Sequence, residues 1–323
     1  MIQPPSTLHA IPERALRSLL LTMSYQRWLG RVATALPITR SMVGRFVAGQ
    51  TLDEALDRLV ELKAQGMRTT LDVLGEAVTS AEDAHAAADR YLKTLDSLAA
   101  RGLERNVSLK LTQMGLGVDG ELCRENVERI LRRAEEIGAF VRIDMEDHTA
   151  VDATLAVWRE VRPIHEATGI VIQAALRRSA ADVETLIAER APIRLCKGAY
   201  KEPASVAFPD KADVDRSYGE LLDRLLHDGA YTAVATHDER LIKRAVATAT
   251  RDGIARDRFE FQMLYGVRRD LQERLAAAGY TVRVYVPYGT EWYPYFMRRL
   301  AERPANVTFL LRSLLREGSG PKS

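Results

Sequence analysis

The sequence predicts an α/β protein built on a closed (β/α)8 barrel of the TIM type, with extra helices at its N-terminus. Three observations predict this fold class. First, eight short apolar runs alternate with longer helical patterns along the 323 residues. Second, the repeat is roughly thirty residues, so eight units fill the ~250 residues typical of such a barrel. Third, no G-x-G-x-x-G follows the first run, which weakens the alternative of an open doubly wound sheet.

Each run is short and almost entirely β-branched or apolar, as expected for a strand that is covered on both faces. Alternation of strands and helices with right-handed crossovers then gives a parallel sheet. In chain order the runs are MRTTLDVLGE, NVSLKLTQMG, FVRIDMEDH, IVIQAAL, IRLCKGAY, YTAVATHDE, FEFQMLYG and RVYVPYG.

Helix start and stop signals lie between the runs. Ser80 with Asp83, and Ser179 with Asp182, have the spacing of a capping box at the start of a helical pattern. Glycines such as those at 138 and 169 are expected just past helix ends. We predict helices packed on the barrel over 1–65, the barrel itself over 66–316 and a disordered tail over 317–323.

Composition narrows the functional classes. The chain is 46% hydrophobic with a net charge of +2, which argues against nucleic-acid binding. Its two cysteines, Cys123 and Cys196, form no C-x-x-C pair, so we predict neither a zinc site nor a disulfide framework. A reducing, cytoplasmic location follows. No apolar run approaches the ~20 residues of a membrane span.

The first fifty residues are basic, with six arginines and one acidic residue. One interpretation is a solvated helical face. The other is a weak peripheral contact with an anionic membrane surface, such as the inner face of the cytoplasmic membrane. No oligomeric state is predicted.

Functional side chains of a (β/α)8 barrel lie at the C-terminal ends of the strands. The runs here end with many polar residues, which is more charge than a protein buries without partners. A ring of salt bridges that closes the barrel is one interpretation, and a site for a ligand with several polar groups is the other. The residues are Asp72, Glu76, Lys110, Gln113, Asp144, Glu146, Asp147, His148, Gln173, Arg194, Lys197, Tyr200, Thr236, His237, Asp238, Gln262, Tyr265, Tyr285 and Tyr288.

The stretch YVPYGTEWYPYFMRRLAERPAN combines aromatic residues with paired arginines. On a helix, Tyr295, Arg298, Arg299 and Glu302 share one face. Arginine forks match carboxylate oxygens, and we expect the pair near the start of the last helix, where the helix dipole also attracts anions. The stretch therefore predicts a site for a small carboxylate.

Two other functional classes stay open at this point. A lysine in a dry barrel can form a Schiff base, so Lys110 or Lys197 would suit an aldolase. A barrel that binds a carboxylate without catalysis is the other alternative. No cluster of His, Asp or Glu has metal-ligand spacing, and we predict no metal site.

The motifs LDVLGEA, VSLKLTQMG, VRIDMEDH, IRLCKGAY, ATHDE, FQMLYG and the aromatic–arginine stretch together resemble the proline dehydrogenase family, in its monofunctional bacterial form, over roughly residues 65–310. The resemblance implies a (β/α)8 barrel with FAD at its mouth. It also implies that L-proline is oxidised to Δ1-pyrroline-5-carboxylate by hydride transfer from C5 to flavin N5, with electrons passed to a membrane quinone.

Motif by motif, the resemblance also implies roles for individual residues. Arg298 and Arg299 would bind the proline carboxylate, Leu264 would pack on the proline ring, and Glu76 would pair with Arg299 as a gate. The rest of the substrate pocket would be Lys110, Asp144, Tyr200, Tyr285, Tyr295 and Glu302. The flavin contacts would be Met145, Gln173, Arg194, Lys197, Gly198, Ala199, Thr236 and His237.

Asp144 and Arg194 are the predicted catalytic residues. Arg194 would stabilise negative charge on the reduced flavin, and Lys110 could pair with Asp144 and keep it ionised. The sequence departs from the family pattern at Tyr288, where other members can carry a smaller residue. Tyr288 and Tyr295 are therefore expected to decide between proline and hydroxyproline.

Overall fold

The computed structural model describes residues 43–75 and 77–302, the last two by their backbone alone. Within them, eight parallel strands close into a barrel in which each strand pairs with its neighbours in chain order and β8 pairs with β1. The predicted fold class is confirmed, and the open doubly wound sheet is excluded. The strands are β1 (Arg68–Val73), β2 (Asn106–Leu109), β3 (Phe140–Ile143), β4 (Thr168–Gln173), β5 (Pro192–Cys196), β6 (Tyr231–Ala235), β7 (Phe259–Leu264) and β8 (Val282–Tyr288).

Helices connect successive strands, and their buried apolar faces cover the barrel. The helices described are α1 (Leu52–Ala64), α2 (Ala81–Ala100), α3 (Gly120–Ile137), α4 (Val151–Val161), α5 (Ser179–Ala188), α6 (Lys211–Asp228), α7 (Glu239–Arg251), α8 (Arg269–Ala277) and α9 (Trp292–Glu302). Short 3-10 helices cover His148–Ala150, Arg162–Ile164 and Arg256–Arg258.

The described residues divide into two compact units, one of 48–290 and one of 43–47 with 291–302. The larger unit holds the barrel. The smaller unit holds α9, where the Trp292 and Phe296 rings pack edge to face at 5.9 Å between centroids. The predicted boundaries at residues 65 and 316 remain predictions, and the predicted tail lies outside the described residues.

Helix α1 precedes the barrel and packs against β1 and β8. It therefore covers the flank where a regular barrel places the helix that follows its eighth strand. Thr51 and Glu54 form a reciprocal capping box that fixes its start. The chain just before it is tied to the end of β8, because the Ala48 N–H donates to the Pro287 carbonyl oxygen at 2.9 Å.

The predicted helix signals hold at one start and fail at another. The Ser80 hydroxyl caps α2 by accepting from the Asp83 N–H at 3.1 Å. Ser179 was predicted to cap α5, and this prediction is wrong. Its hydroxyl donates to the Gln173 carbonyl oxygen at 2.6 Å, and Asp182 accepts from Arg178 at 2.8 Å instead. The Ser179 hydroxyl therefore bonds to the last carbonyl oxygen of β4 and does not cap the helix.

Gly138 ends α3 in the left-handed region, at φ 62°, as predicted. Gly169 does not follow a helix, because α4 ends at Val161 and Gly169 lies inside β4. A Cβ there would lie 2.4 Å from Arg142 Nη1. The glycine thus makes room inside the barrel for a buried arginine. Burial, and next the neighbouring Arg194, lower the pKa of Arg142 to about 9.

Candidate active site

The interior of this barrel is polar at both ends. Side chains two residues apart on a strand share a face, so Arg283 and Tyr285 of β8 both point inward. We call the inward group at the N-terminal end the floor cluster: Tyr231, Glu260 and Arg283. The inward group at the C-terminal end is the mouth cluster: Asp72, Lys110, Asp144, Arg194 and Tyr285.

Asp144 is the centre of the mouth cluster. Its Oδ1 accepts from Arg194 Nη1 at 2.6 Å, and its Oδ2 accepts from the Tyr285 hydroxyl at 2.8 Å. The Arg194 guanidinium also lies over the Tyr285 ring, 5.2 Å from its centroid. Burial, and next the carboxylates of Asp144 and Asp72, raise the pKa of Tyr285 well above its usual value. The phenol therefore stays protonated and donates to Asp144.

Lys110 was predicted to pair with Asp144, but its closer partner is Asp72. Its Nζ lies 2.8 Å from Asp72 Oδ1 and 3.9 Å from Asp144 Oδ2. Burial lowers the pKa of Lys110, yet the two carboxylates outweigh burial and the net shift is upward. Lys110 is therefore an ammonium at neutral pH. A Schiff-base lysine needs the opposite shift, so Lys110 does not suit an aldolase.

Ser108 belongs to this site although the sequence pattern did not single it out. It lies in β2, fully buried, and its hydroxyl accepts from Arg194 Nη2 at 2.9 Å. Arg194 is thus held by Asp144 on one side and by Ser108 on the other. Among the described residues, Arg194 Nε and Asp72 Oδ2 are buried without a hydrogen-bond partner, which leaves polar capacity at the mouth for a ligand.

The predicted flavin contacts lie along the neighbouring ends of β3 to β6. Met145 follows Asp144 directly and is buried. Gln173 ends β4 and donates through Nε2 to the Glu146 carbonyl oxygen at 2.6 Å. Gly198 has φ 106°, and a Cβ there would lie 3.1 Å from Gln173 Oε1. Gly198 and Ala199 thus present nearly bare backbone beside an amide, which fits a flat cofactor.

Lys197 starts the same segment and is already paired. Its Nζ donates to Asp215 Oδ1 at 2.5 Å and to Asp238 Oδ2 at 3.0 Å. Two ion pairs therefore hold the Lys197 amine in place at the end of β5, and a Schiff base at this nitrogen would have to break both of them.

The end of β7 is fixed from both sides. The Leu264 N–H donates to His237 Nε2 at 2.9 Å, so the lone pair of that nitrogen is engaged. The Leu264 carbonyl oxygen accepts from Gln272 Nε2 at 3.1 Å. Gln272 is a buried polar residue of α8 that sequence reasoning missed. Thr236, next to His237, accepts the Asp238 N–H at 3.1 Å and shapes the start of α7.

Helix α9 carries the predicted carboxylate ligands. Tyr295 and Arg299 are buried, and the Arg299 guanidinium lies 5.1 Å from the Tyr295 ring centroid. The arginines were expected at the start of the helix, and this is wrong, because the helix begins at Trp292 and both arginines lie beyond its first turn. The helix dipole therefore does not assist anion binding there. The side chain of Glu302 and the whole of Glu76 lie outside the described residues.

Tyr288 was expected to help decide between proline and hydroxyproline, but its side chain does not point into the barrel. It lies three residues after the inward Tyr285, and an odd separation on a strand reverses the face. Its hydroxyl lies 2.7 Å from the Thr94 hydroxyl of α2, and the side chain is buried between strand and helix. Tyr288 is thus a packing residue and is removed from the proposed basis for selecting between proline and hydroxyproline.

Residues 43–75 and 77–302 contain no group of three or more His, Cys, Asp or Glu placed to hold a metal ion. In the same part of the chain, no helix combines the length and hydrophobicity that crossing a bilayer requires.

Known proteins resemble this chain closely. The sequence model of the proline dehydrogenase family matches residues 55–312. The proline dehydrogenase of Deinococcus radiodurans is 46% identical over 281 residues, which cover 85% of this chain and 91% of that protein. Proline dehydrogenase 2 of Bacillus subtilis is 42% identical over 279 residues, covering 86% of this chain and 92% of that protein.

A solved structure shares the fold. Proline utilization A of Bdellovibrio bacteriovorus, inactivated by N-propargylglycine, superposes with a TM-score of 0.77 at 27% identity. The superposition covers 90% of this chain but 35% of that one, so this chain matches about a third of the larger protein.

Proposed function

The chain belongs to the proline dehydrogenase family, and from that membership we propose that it oxidises L-proline to Δ1-pyrroline-5-carboxylate with bound FAD. Membership confirms the resemblance carried by the motifs and assigns the chain to an enzyme of proline degradation. The observation that supports the finer proposal is the mouth cluster, in which Asp144 is held by Arg194 and Tyr285 beside the protonated Lys110.

FAD, when bound, supplies the acceptor for a hydride from proline C5. The residues that would hold it are Met145, Gln173, Arg194, Lys197, Gly198, Ala199, Thr236 and His237. Arg194 carries a permanent positive charge that Asp144 and Ser108 hold in one position. A fixed charge of this kind stabilises negative charge developing beside it without reorganisation. We therefore assign Arg194 an electrostatic role in the reaction.

The residues of the mouth cluster also limit where the amine proton can go. The proline nitrogen must be neutral before hydride leaves C5. Lys110 is already protonated, because the net shift of its pKa is upward. Both oxygens of Asp144 are already engaged, because they accept hydrogen bonds from Arg194 and Tyr285. Neither residue is suited to act as the base, and we propose that the proton leaves to water.

The carboxylate of proline is assigned to Arg298 and Arg299 by the family motif alone. Leu264, Tyr200, Tyr285 and Tyr295 complete the pocket in this proposal, with Glu302 beside the arginines and Glu76 as the gate. Removing either arginine should raise the proline KM strongly, because losing a buried charged partner costs about 2–5 kcal/mol. An unchanged KM in both Arg298→Ala and Arg299→Ala would remove the clamp from the proposal.

We further propose that a membrane quinone reoxidises the flavin. The basic composition of residues 1–50 supports a weak peripheral contact with an anionic membrane surface. The proposal predicts that the protein sediments with vesicles of anionic lipid and is released by salt. Failure to bind such vesicles at low salt would remove the membrane contact, while leaving proline oxidation untouched.

The visible spectrum of the purified protein, before and after anaerobic addition of proline, tests the main proposal. We expect a yellow flavoprotein that proline bleaches. N-propargylglycine shares the carboxylate and secondary amine of proline, so we expect it to inactivate this protein too. Colourless protein that FAD does not restore would refute the proposal. A flavoprotein that proline does not bleach would indicate a barrel that binds without catalysis. Steady-state kinetics with hydroxyproline would test the nearest enzymatic alternative, an enzyme that acts on hydroxyproline.

A further inference from the structure

The segment between β5 and α6 contacts the segments that follow β4 and β3. We call residues 198–208 the strap. It begins at Gly198 in a left-handed conformation, where most other residues would be strained. It then carries Ala199 and Tyr200, which the proposed function assigns to cofactor and substrate. The position of the strap therefore determines where both residues lie.

The far end of the strap is anchored by backbone hydrogen bonds to the segment after β4. The Arg177 N–H donates to the Val206 carbonyl oxygen at 2.9 Å, and the Phe208 N–H donates to the Ala175 carbonyl oxygen at 2.8 Å. Arg177 also lies over the Phe208 ring, 4.8 Å from its centroid. These contacts hold residues 206–208, and a second anchor lies nearer to Tyr200 along the chain.

That anchor is a carboxylate in the middle of the strap. Glu202 accepts the backbone N–H of His148 at 3.0 Å with one oxygen and lies 2.5 Å from His148 Nδ1 with the other. Its side chain is only 6% exposed. His148 starts the 3-10 helix after β3, and β4 separates β3 from β5. Glu202 therefore reaches past β4 to tie two loops that lie 54 residues apart in sequence.

We propose that Glu202 and His148 form a latch that positions the strap, and with it Tyr200, for proline oxidation. Both are positioning residues, since they act through the strap, and the inference rests on the proposed function. If the latch is broken, the strap occupies open conformations for part of the time. Apparent affinity falls by the fraction of closed strap, whereas saturating proline restores the closed form. The latch should therefore affect KM far more than kcat.

Steady-state kinetics of the flavin-loaded enzyme with proline and a soluble dye acceptor test the latch. Glu202→Ala should raise the proline KM about tenfold, the effect of losing one or two hydrogen bonds to a charged group, with kcat within about twofold. Glu202→Gln should fall between wild type and alanine, because the amide has one acceptor oxygen for two donors. Ser205→Ala, an exposed change in the same strap, is the matched control and should match wild type.

Coupling between the two residues gives a second test. His148→Ala should raise the proline KM, and the double variant should resemble Glu202→Ala alone, because both changes break one latch. Trypsin should cut after Lys201 faster in His148→Ala, in which the sequence at the cleaved bond is unchanged, than in wild type, and proline should slow that cleavage.

The outcomes separate the latch from the proposed function. An unchanged proline KM in Glu202→Ala, additive effects in the double variant, or equal trypsin rates would overturn the latch. A loss of kcat and flavin content at constant KM, with no rescue by glutamine, would show a structural role only and would also overturn it. A wild type that fails to oxidise proline would refute the proposed function, and the trypsin rates would still decide whether the latch holds the strap.

Discussion

The two ends of the barrel each hold an arginine, a carboxylate and a tyrosine, arranged in two different ways. In the floor cluster, Arg283 grips Glu260 with two parallel bonds of 2.8 and 3.0 Å, and the Tyr231 hydroxyl donates to the same carboxylate at 3.0 Å. In the mouth cluster, Arg194 reaches Asp144 through a single nitrogen. The chemical groups are alike, but the number of satisfied hydrogen bonds differs.

The two clusters differ in how many of their polar atoms have hydrogen-bond partners and in how exposed their side chains are. The side chain of Glu260 is 2% exposed, and Arg283 also donates to the Thr69 carbonyl oxygen at 2.8 Å. Asp144 and Lys110 are 14% and 18% exposed, and Arg194 Nε is buried without a partner among the described residues. An ion pair in which every donor and acceptor is hydrogen-bonded has no polar atom available to a ligand, whereas the mouth cluster has such atoms. The comparison supports a stabilising role for the floor cluster and agrees with the catalytic role proposed for the mouth cluster, since functional residues of such barrels lie at the C-terminal ends of the strands.

The largest expected effect is on activity, from a neutral replacement at the mouth. Asp144→Asn should lower kcat/KM for proline about 1000-fold, since removing one preorganised electrostatic group costs up to ~4 kcal/mol of transition-state stabilisation. The amide oxygen can still accept from Arg194, so the free energy of unfolding should fall by less than about 2 kcal/mol. Steady-state kinetics and urea unfolding of the same preparation measure both. Near wild-type turnover would contradict a catalytic role for Asp144.

The matched neutral replacement at the floor should lower the stability of the protein and leave its activity nearly unchanged. Glu260→Gln removes the carboxylate that binds Arg283 through two nitrogens and leaves Glu104, 2.8 Å from Arg283 Nη1, as its counter-charge. Breaking this buried pair should lower the free energy of unfolding by about 3 kcal/mol, the low end of the usual range, because Glu104 remains. The proline KM of the folded fraction should stay within about twofold of wild type. Urea unfolding and kinetics at low temperature check this. If Glu260→Gln instead raised the proline KM while remaining stable, the division between floor and mouth would fail.

Acid should distinguish the two ends more finely. Burial raises the pKa of Glu260, but Arg283 and the hydrogen bonds outweigh burial, and the net shift is below the ordinary 4.5. A depressed carboxyl contributes stability that is present above pH 4.5 and is lost as pH falls through the folded-state pKa. Wild-type stability should therefore fall in acid below about pH 4.5, and Glu260→Gln should flatten that fall.

Glu146, near the mouth, has a pKa shift opposite in direction to that of Glu260. Burial raises its pKa above 4.5, although Thr112 donates to it twice. The folded state then holds a proton that the unfolded state has released, so this group contributes less stability as pH rises through its folded-state pKa. Relative to wild type, Glu146→Gln should be more destabilising at pH 4.5 than at pH 7, as urea unfolding at both values would show. The reverse order would contradict the assigned shift.

The fold, and the fact that Asp144, Arg194 and Tyr285 lie together, were predictable from sequence because both follow from local signals. Eight apolar runs specified the strands, and the rule that strand C-termini meet at one rim brought Asp144, Arg194 and Tyr285 together. Tyr288 was misplaced although its position was predictable, because its odd separation from Tyr285 on one strand requires the opposite face. The error lay in grouping residues by proximity in the sequence.

Pairings across the barrel were not predictable. Lys110 could have paired with Asp144 or Asp72, and only register and side-chain direction select Asp72. The same holds for the Ser108 contact with Arg194 and for Glu202, whose partner is 54 residues away. Helix α9 illustrates a further limit, because the arginine pair was correctly assigned to a helix but was expected at its start, whereas the helix begins more than one turn earlier, at Trp292. Helix boundaries are set by local competition for hydrogen bonds, which composition specifies weakly.

The smallest expected effects come from removing one tyrosine hydroxyl at each end of the barrel. The same substitution is then compared in the floor cluster and in the mouth cluster. Tyr231→Phe deletes a donor to Glu260, and about 1 kcal/mol of unfolding free energy should be lost without a change in proline kinetics. Tyr285→Phe deletes the equivalent donor to Asp144. We expect kcat/KM for proline to be about tenfold lower, because Asp144 Oδ2 without this hydrogen bond changes the electrostatic field at the proline ring. Thermal unfolding and kinetics on both variants measure the pair. Because each change removes a single oxygen atom, equal effects on activity would mean that position in the barrel does not determine the role of the ion pair.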